Sequence, residues 1–210
     1  MMVIRCDPET TTAADLADAV RWLRRGGVVI LPTDTLYGIA VDPTSSAAVR
    51  SVFDLKGRAP ALPLPLIAAS VGQVEAHCGP LGSRGAALAA HFWPGPLSLV
   101  LDAPPRIAIA VHAGLGSIAI RVPAHRVARA LCEAWGAPLS ATSANRHGLR
   151  AAARVDELGD LAADARVLVV DAGPVIGGAP STIVDVRRDV PVLVRAGQIP
   201  WSTVLELLHG

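Results

Sequence analysis

The chain has 210 residues, of which 51% are hydrophobic and 18% are charged, and its formal net charge at pH 7 is +1. This composition supplies ample material for a buried core and excludes disorder over any long stretch. The near-zero net charge provides no global basic field that would by itself favour nucleic-acid binding, although a local basic patch stays open.

The cysteines and the apolar runs indicate the compartment in which the chain works. Three cysteines, Cys6, Cys78 and Cys132, lie far apart and form no Cys-x-x-Cys pair. They predict free thiols of an intracellular protein, and we expect no protein-built metal site. No apolar run has the form of a signal peptide or the length of a membrane span, about 18 residues. We therefore predict a soluble cytoplasmic protein without membrane contact, with residues 1–210 forming a single domain.

The N-terminal half alternates apolar runs, typical of buried strands, with capped helices. We predict strands at residues 3–5, 28–31 and 64–69. The helices between and after them begin at side chains that can cap a first turn, namely Thr12 with Asp15, Ser46, and Ser70 with Gln73. Glycines end the first two helices, at Gly26-Gly27 and at Gly57.

The C-terminal half continues in the same way, but the alternation of strands and helices is not strict. The predicted helices cover residues 83–92, 124–135, 155–161 and 201–208. The predicted strands cover residues 97–101, 117–122, 139–142 and 167–170, followed by a hairpin of 182–186 with 192–194. The glycine-rich segment 173–180 is the predicted mobile loop. This order predicts an α/β fold with one mixed, twisted sheet and flanking helices.

Lysine is used at one position only. Lysine and arginine together number 19, and Lys56 is the single lysine. An ammonium is a compact charge with three rotatable donors, whereas Arg offers a planar fork. Lys56 and Arg58 precede a proline-stiffened loop, which suggests two cations held at a fixed separation toward an anion. The alternatives are that coding bias left one lysine, or that Lys56 only interacts with the dipole at the end of its helix.

Polar residues follow several of the predicted strands directly. They occur at 33–37, at 143–145, at Ser181 and at Arg195. Ligands of open α/β sheets gather outside the carboxyl ends of the strands, so these segments predict a binding site. The alternative is ordinary turn chemistry, which explains any one of these segments. It explains less easily why Lys56, Arg58, Arg121 and Arg195 also flank the strand ends. The phosphate-loop, dinucleotide, nucleophile-elbow and H-E-x-x-H motifs are absent, so nucleotide binding would rest on scattered cations and hydroxyls.

Six motifs carry a resemblance to a known family. In order they are PTDTLYG, KGR, FWPGPLSLVL, AIRVP, SATSAN and PSTIVD. Together they resemble the YrdC-like family of threonylcarbamoyl-AMP synthases, from about residue 26 to residue 197. The signature of that family, Lys-x-Arg with Ser-x-Asn, falls here on Lys56 and Arg58 and on Ser143 and Asn145.

The resemblance implies an α/β fold with a large concave cleft and a nucleotidyltransferase activity. The expected reaction joins L-threonine, bicarbonate and ATP, with magnesium carried on the ATP, into threonylcarbamoyl-AMP and pyrophosphate. The product feeds the threonylcarbamoyladenosine modification of tRNA. The chain resembles the short form of the family, which is expected to hand its product to the tRNA threonylcarbamoyl-transfer machinery.

The resemblance also implies roles for particular residues. Lys56 and Arg58 are the expected catalytic residues, where charge neutralisation and positioning matter more than a nucleophile. The expected ATP-binding residues are Lys56, Arg58, Ser117, Ser143, Asn145 and Arg195. The expected threonine-binding residues are Thr33, Thr35, Arg121, Thr142 and Ser181, with Arg121 on the substrate carboxylate.

The loop after Arg58 departs from the pattern of the family. Ala59 replaces a proline, and Leu62 replaces a polar residue. Leu62 cannot bond a phosphate or carboxylate, so we expect weaker substrate binding or compensation by Arg146 or Arg150. Two other functions stay open: an RNA-binding module that uses the cleft for weak tRNA or RNA binding, and a paralogue that makes a carbamoyl-adenylate for another acceptor.

Overall fold

The computed structural model of the protein describes residues 1–57 and 62–209, with His209 described by its backbone alone. The predictions made for Arg58 and Ala59 therefore lie outside the described residues. The described part has a mixed α/β architecture of two sheets with flanking helices. The predicted fold class is confirmed, and the strands that the sequence assigned to one sheet are divided between two.

The strands are numbered in chain order. They are β1 (Met2–Arg5), β2 (Val28–Pro32), β3 (Tyr37–Ala40), β4 (Leu66–Ile67), β5 (Leu97–Asp102), β6 (Ser117–Arg121), β7 (Leu139–Ser140), β8 (Thr142–Ser143), β9 (Val167–Asp171), β10 (Thr182–Asp185) and β11 (Val192–Arg195). The five-stranded sheet has the order β1-β9-β2-β3-β8, and the six-stranded sheet has the order β11-β10-β5-β6-β4-β7. Each sheet contains both parallel and antiparallel pairs.

The helices pack on these sheets. They are α1 (Ala17–Arg24), α2 (Ser46–Lys56), α3 (Val71–Cys78), α4 (Gly82–Phe92), α5 (Ile109–His112), α6 (Arg126–Trp135), α7 (Asp160–Ala163) and α8 (Trp201–His209). Single 3-10 turns occur at Ala14–Leu16 and Val155–Glu157. The larger apolar cluster contains buried side chains of both sheets and of α2, and the smaller one lies under α1 and α6.

One predicted strand, at residues 139–142, is wrong in a way that matters for the site. The segment splits into β7, which pairs with β4 of one sheet, and β8, which pairs with β3 of the other. The backbone N–H of Ala141, between the two strands, donates to the carbonyl of Pro65 at 2.8 Å. The segment therefore links the two sheets, and Ser143 belongs to the five-stranded one.

Side-chain caps begin α2 and α3, whereas the predicted helix start at Thr12 is wrong, because a 3-10 turn precedes α1 and the first residue of α1 is Ala17. The cap of α2 is Ser45, not Ser46, because Ser45 is extended and its hydroxyl accepts from the Ala48 N–H, while Ser46 is already helical. The predicted cap at Ser70 and the left-handed stop at Gly57, with φ of 59°, are confirmed.

Two further predicted elements are shorter than expected. The predicted helix at residues 155–161 is a 3-10 turn and the separate α7, because Gly159 between them has φ of 52° and breaks the helical path. The predicted strand at residues 64–69 is reduced to β4, Leu66–Ile67. The predicted hairpin is confirmed as the antiparallel pair of β10 and β11.

The cysteines are free thiols, as predicted. Cys132 is buried in α6, and burial raises the pKa of its thiol to about 12. Within residues 1–57 and 62–209, no helix has the length and apolar character needed to cross a membrane.

Candidate functional site

A cavity of about 490 Å³ lies between the two sheets. Its floor is one face of the six-stranded sheet, because side chains at alternate positions of a strand share a face. On β6 these are Ser117, Ala119 and Arg121, and on β10 they are Ile183 and Asp185. The facing wall comes from the turn between β2 and β3 and from β8. The cleft implied by the sequence is therefore present and polar at both ends.

At one end of the cavity, Arg121 is held by the turn that follows β2. Its Nη1 donates to Asp34 Oδ1 at 2.5 Å, and its Nη2 donates to the hydroxyls of Thr33 and Thr35 at 3.2 Å each. The side chains of Arg121 and Asp34 are only 8% and 13% exposed, so this ion pair is largely desolvated. Such a guanidinium is fixed in one orientation before any ligand arrives.

The two threonine hydroxyls beside Arg121 are not equivalent. Thr33 Oγ1 lies 2.7 Å from the carbonyl of Leu36, to which it donates its single hydroxyl proton. Thr33 and Thr35 are 3.0 Å apart at Oγ1, so with the Thr33 proton used, Thr35 is the donor in that contact. The Thr35 proton is the one that can turn to a ligand, whereas Thr33 mainly shapes the turn.

Lys56, Ser143 and Asn145 form a second cluster behind the wall of the cavity. Lys56 is 3% exposed, and its Nζ donates to the Ser143 carbonyl at 2.5 Å and to the Asn145 carbonyl and Oδ1 at 3.0 Å each. The Ser143 hydroxyl donates to the same Asn145 Oδ1 at 2.6 Å. The buried ammonium thus sets the turn that presents Ser143 to the cavity.

Arg195 and Ser181 lie near the Arg121 end of the cavity. Arg195 donates to the Ser181 carbonyl at 2.7 Å and to its hydroxyl at 3.0 Å, and that hydroxyl also contacts Ser98 Oγ at 3.0 Å. Burial, together with the charge of Arg121, lowers the pKa of the Arg195 guanidinium. Two cations with one carboxylate, Asp34, leave a net positive charge here, which favours an anionic ligand.

The close fit at Gly197 holds this cluster in place. A Cβ at Gly197 would lie 2.3 Å from the Pro180 carbonyl oxygen and 2.4 Å from the Thr182 nitrogen. We expect Gly197→Ala to lower the free energy of unfolding by about 1–3 kcal/mol and to displace Ser181. Gly72→Ala is the matched control, because its Cβ would meet only Ser70 Oγ at 3.8 Å within helix α3. Thermal melting of both variants measures the difference, and equal melting temperatures would contradict the expectation.

The structure brings together most of the residues that the sequence predicted. Eight of them line the cavity: Thr33, Thr35, Ser117, Arg121, Thr142, Ser143, Ser181 and Arg195. Lys56 and Asn145 lie behind the wall, bonded to Ser143, and Arg58 is outside the described residues. Arg146 and Arg150, the expected compensating cations, are not among the described residues that line the cavity.

Leu62 lines the cavity and is 51% exposed. An exposed leucine on the wall leaves room for a longer polar side chain. We therefore expect Leu62→Lys to lower the KM for ATP or threonine severalfold, since one added charge-assisted bond in a partly screened site contributes about 1 kcal/mol. Steady-state kinetics with a melting curve tests this, and Leu62→Met is the uncharged control. A lower melting temperature with unchanged KM values would mean that Leu62 only packs its loop.

Several site residues were missed by the sequence analysis. Asp34 stands between two predicted threonines, and its pairing with Arg121 could have been inferred from a carboxylate in that turn. Asp185 and Arg187 line the cavity away from Arg121. No motif in the sequence pointed to Arg187. Tyr37 donates to the Gly173 carbonyl at 2.7 Å, and burial raises the pKa of its hydroxyl.

Asp34 also faces α6. Its Oδ2 is buried without a hydrogen-bond partner among the described residues, as is Nδ1 of His125, the residue before α6. Burial lowers the pKa of His125, and the negative charge of Asp34 opposes that shift. Among the described residues, no group of three or more His, Cys, Asp or Glu side chains could hold a metal ion.

This arrangement of sheets and cleft is a YrdC-like fold. The structure of Pyrococcus abyssi Sua5 complexed with L-threonine superposes on it with a TM-score of 0.89 at 30% identity, covering 99% of this chain and 61% of that one. The structure of Escherichia coli YciO, with a TM-score of 0.83 at 22% identity, shares the fold over 95% of this chain and 98% of its own.

The sequence comparisons identify the family. The chain belongs to the Sua5/YciO/YrdC family, described as telomere recombination, whose sequence model matches residues 21–197. It is 36% identical over 196 residues to the threonylcarbamoyl-AMP synthase of Bacillus subtilis (strain 168), covering 92% of this chain and 56% of that protein. It is 38% identical over 164 residues to the enzyme of the same name from Thiobacillus denitrificans, covering 78% of this chain and 87% of that protein. The chain thus spans little more than half the length of the Bacillus relative.

Proposed function

We propose that the chain is a threonylcarbamoyl-AMP synthase, which uses L-threonine, bicarbonate and ATP and releases pyrophosphate. The observation that carries the proposal is the fixed Arg121 beside the Thr35 hydroxyl, at the end of the cavity where Arg195 also lies. A guanidinium beside a hydroxyl suits an amino acid that has both a carboxylate and a side-chain hydroxyl. The relative from Pyrococcus abyssi, which binds L-threonine, supports this choice.

The reaction places defined demands on the site. Threonine and bicarbonate form a carbamate with loss of water, and a carbamate oxygen then bonds to the α-phosphorus while the bond to pyrophosphate breaks. This transfer needs aligned groups and neutralised charge, and no covalent nucleophile. Arg121 would hold the threonine carboxylate with Thr35, and Arg195 would face the phosphates. Magnesium would arrive on the ATP, held by phosphate oxygens and water.

The remaining predicted residues would act around Arg121 and Arg195. Thr142 and Ser181 would complete the threonine site, and Ser117 and Ser143 would contact the nucleotide from the floor and the wall. Lys56 and Asn145 would act by presenting Ser143, and Arg58 would contribute the second cation of the family signature. The product would pass to the proteins that transfer the threonylcarbamoyl group to tRNA.

A pyrophosphate-release assay across the amino acids, with and without bicarbonate, tests the proposal. We expect release that needs ATP, bicarbonate and threonine together. Release that needs bicarbonate but not threonine would favour a paralogue with another acceptor. Binding of RNA with a steep salt dependence, without consumption of ATP, would favour the RNA-binding function.

A further inference from the structure

The cavity has a second polar end, where the proposed function assigns a role to Ser117 but none to Arg187. Ser117 and Arg121 lie at opposite ends of β6, four positions or about 13 Å apart. The row of the floor between them contains Ala119 and Val100, with Asp185 opposite Val100, whereas Ile183 is level with Arg121. Arg187, two residues after Asp185, also lines the cavity and reaches Asp102 in the row of Ser117. The cavity is thus long enough to hold an amino acid at the Arg121 end and a nucleoside at the other.

Arg187 is clamped in a fixed plane at that end. Its Nε and Nη2 donate to the two carboxylate oxygens of Asp185 at 3.0 and 2.7 Å, and its Nη1 donates to Asp102 Oδ1 at 3.3 Å. These bonds occupy three of the five guanidinium donors and both ends of the fork. The side chain is 30% exposed and lines the cavity, so a planar face remains available for a ligand.

The charges at the two ends differ. In the part of the chain that the structure describes, the hydrogen bonds of Arg195 go to Ser181 and to no carboxylate. Arg187 is neutralised by Asp185 and Asp102, whose negative charges would also repel phosphate. The phosphates of a nucleotide therefore favour the Arg195 end, and its uncharged base favours the Arg187 end.

The clamp by itself does not indicate a ligand. Arg166 is held in the same manner by Asp164, with Nε at 2.9 Å from Oδ1 and Nη2 at 2.8 Å from Oδ2, and its Nη1 lies 3.9 Å from Asp54. Arg166 does not line the cavity. Arg187 does line the cavity, and its partner Asp185 pairs with Val100 of the floor, so its position separates the two arginines.

We propose that the planar face of the Arg187 guanidinium stacks on the nucleobase of the bound nucleotide, beside Val100 and Ala119 of the floor. This inference rests on the proposed function. A delocalised, weakly hydrated guanidinium stacks well on an aromatic ring, and a fixed plane loses little entropy on binding. Ser117, paired with Asp102 between β5 and β6, lies at the same end and can bond the nucleoside.

The test measures binding of ATP, adenosine and inorganic tripolyphosphate by calorimetry to the wild type and to variants. We expect Arg187→Ala to weaken binding of ATP and adenosine about 5- to 100-fold, the range for losing one base-stacking side chain. Binding of tripolyphosphate should stay within about twofold, since the phosphates lie at the other end. Arg166→Ala removes an equivalent clamp outside the cavity and should leave all three affinities unchanged.

Two further variants separate stacking from charge and from folding. Arg187→Phe should recover most of the ATP affinity, because it restores a flat surface without a charge, whereas Arg187→Lys should not. Recovery by Lys but not by Phe would overturn the proposal, as would an Arg187→Ala variant that binds ATP like the wild type or loses tripolyphosphate equally. A wild type that binds no ATP would overturn the proposed function itself.

Discussion

Replacing Lys56 with methionine should abolish pyrophosphate release and lower the free energy of unfolding by about 1–3 kcal/mol. The ammonium is 3% exposed and donates to two carbonyls and to Asn145 Oδ1. Methionine fills similar space, but the Asn145 carbonyl then loses its donor, at about 1–3 kcal/mol for an unsatisfied group. The Ser143 carbonyl keeps the Asn145 N–H and Asn145 Oδ1 keeps the Ser143 hydroxyl. The turn that holds Ser143 would then lose its fixed position, and the site with it.

Lys56→Arg should be impaired almost as severely. A planar fork cannot direct three donors to acceptors gathered around one point, as an ammonium can. Arg50→Met on the exposed face of the same helix, α2, is the control and should change neither activity nor stability measurably. The pyrophosphate assay measures the effect on turnover, and chemical unfolding measures the effect on stability. Wild-type turnover in Lys56→Arg would show that the lone lysine has no special role.

Lys56 also shows which parts of the candidate site could be predicted from the sequence. Its place at the end of α2, the stop at Gly57 and its association with Ser143 and Asn145 all followed from local pattern and family signature. The predicted direction was toward a triphosphate, whereas the structure turns the ammonium to carbonyls that lie 87 and 89 positions away in the chain. No local pattern reports main-chain acceptors brought in from such a distance.

The division into two sheets was hidden for a related physical reason. Residues 139–142 were predicted as one short strand, but β7 and β8 have two residues each and pair with different sheets. Strand partners are set by long-range packing, which short apolar runs do not specify. Arg187 was missed likewise, because its position at the cavity depends on the register of β10 against β5.

Replacing Arg121 with alanine should raise the KM for threonine about 10- to 100-fold and leave the affinity for ATP nearly unchanged. A charge-assisted bond to the substrate carboxylate contributes roughly 1.5–3 kcal/mol. The structure adds a complication, because the same change leaves the Asp34 carboxylate without its ion-pair partner. Its Oδ2 already lacks a hydrogen-bond partner among the described residues, so breaking this pair should also destabilise the fold, by about 3–5 kcal/mol.

A double variant separates the lost contact from the lost stability. Asp34→Ala combined with Arg121→Ala removes both buried charges, so the melting temperature should recover part of the loss seen with Arg121→Ala alone. The KM for threonine should stay high, since the guanidinium that meets the substrate is still missing. If the double variant regained both stability and threonine affinity, Arg121 would serve only to neutralise Asp34. Equal losses for threonine and ATP in the double variant would move Arg121 out of the amino-acid site.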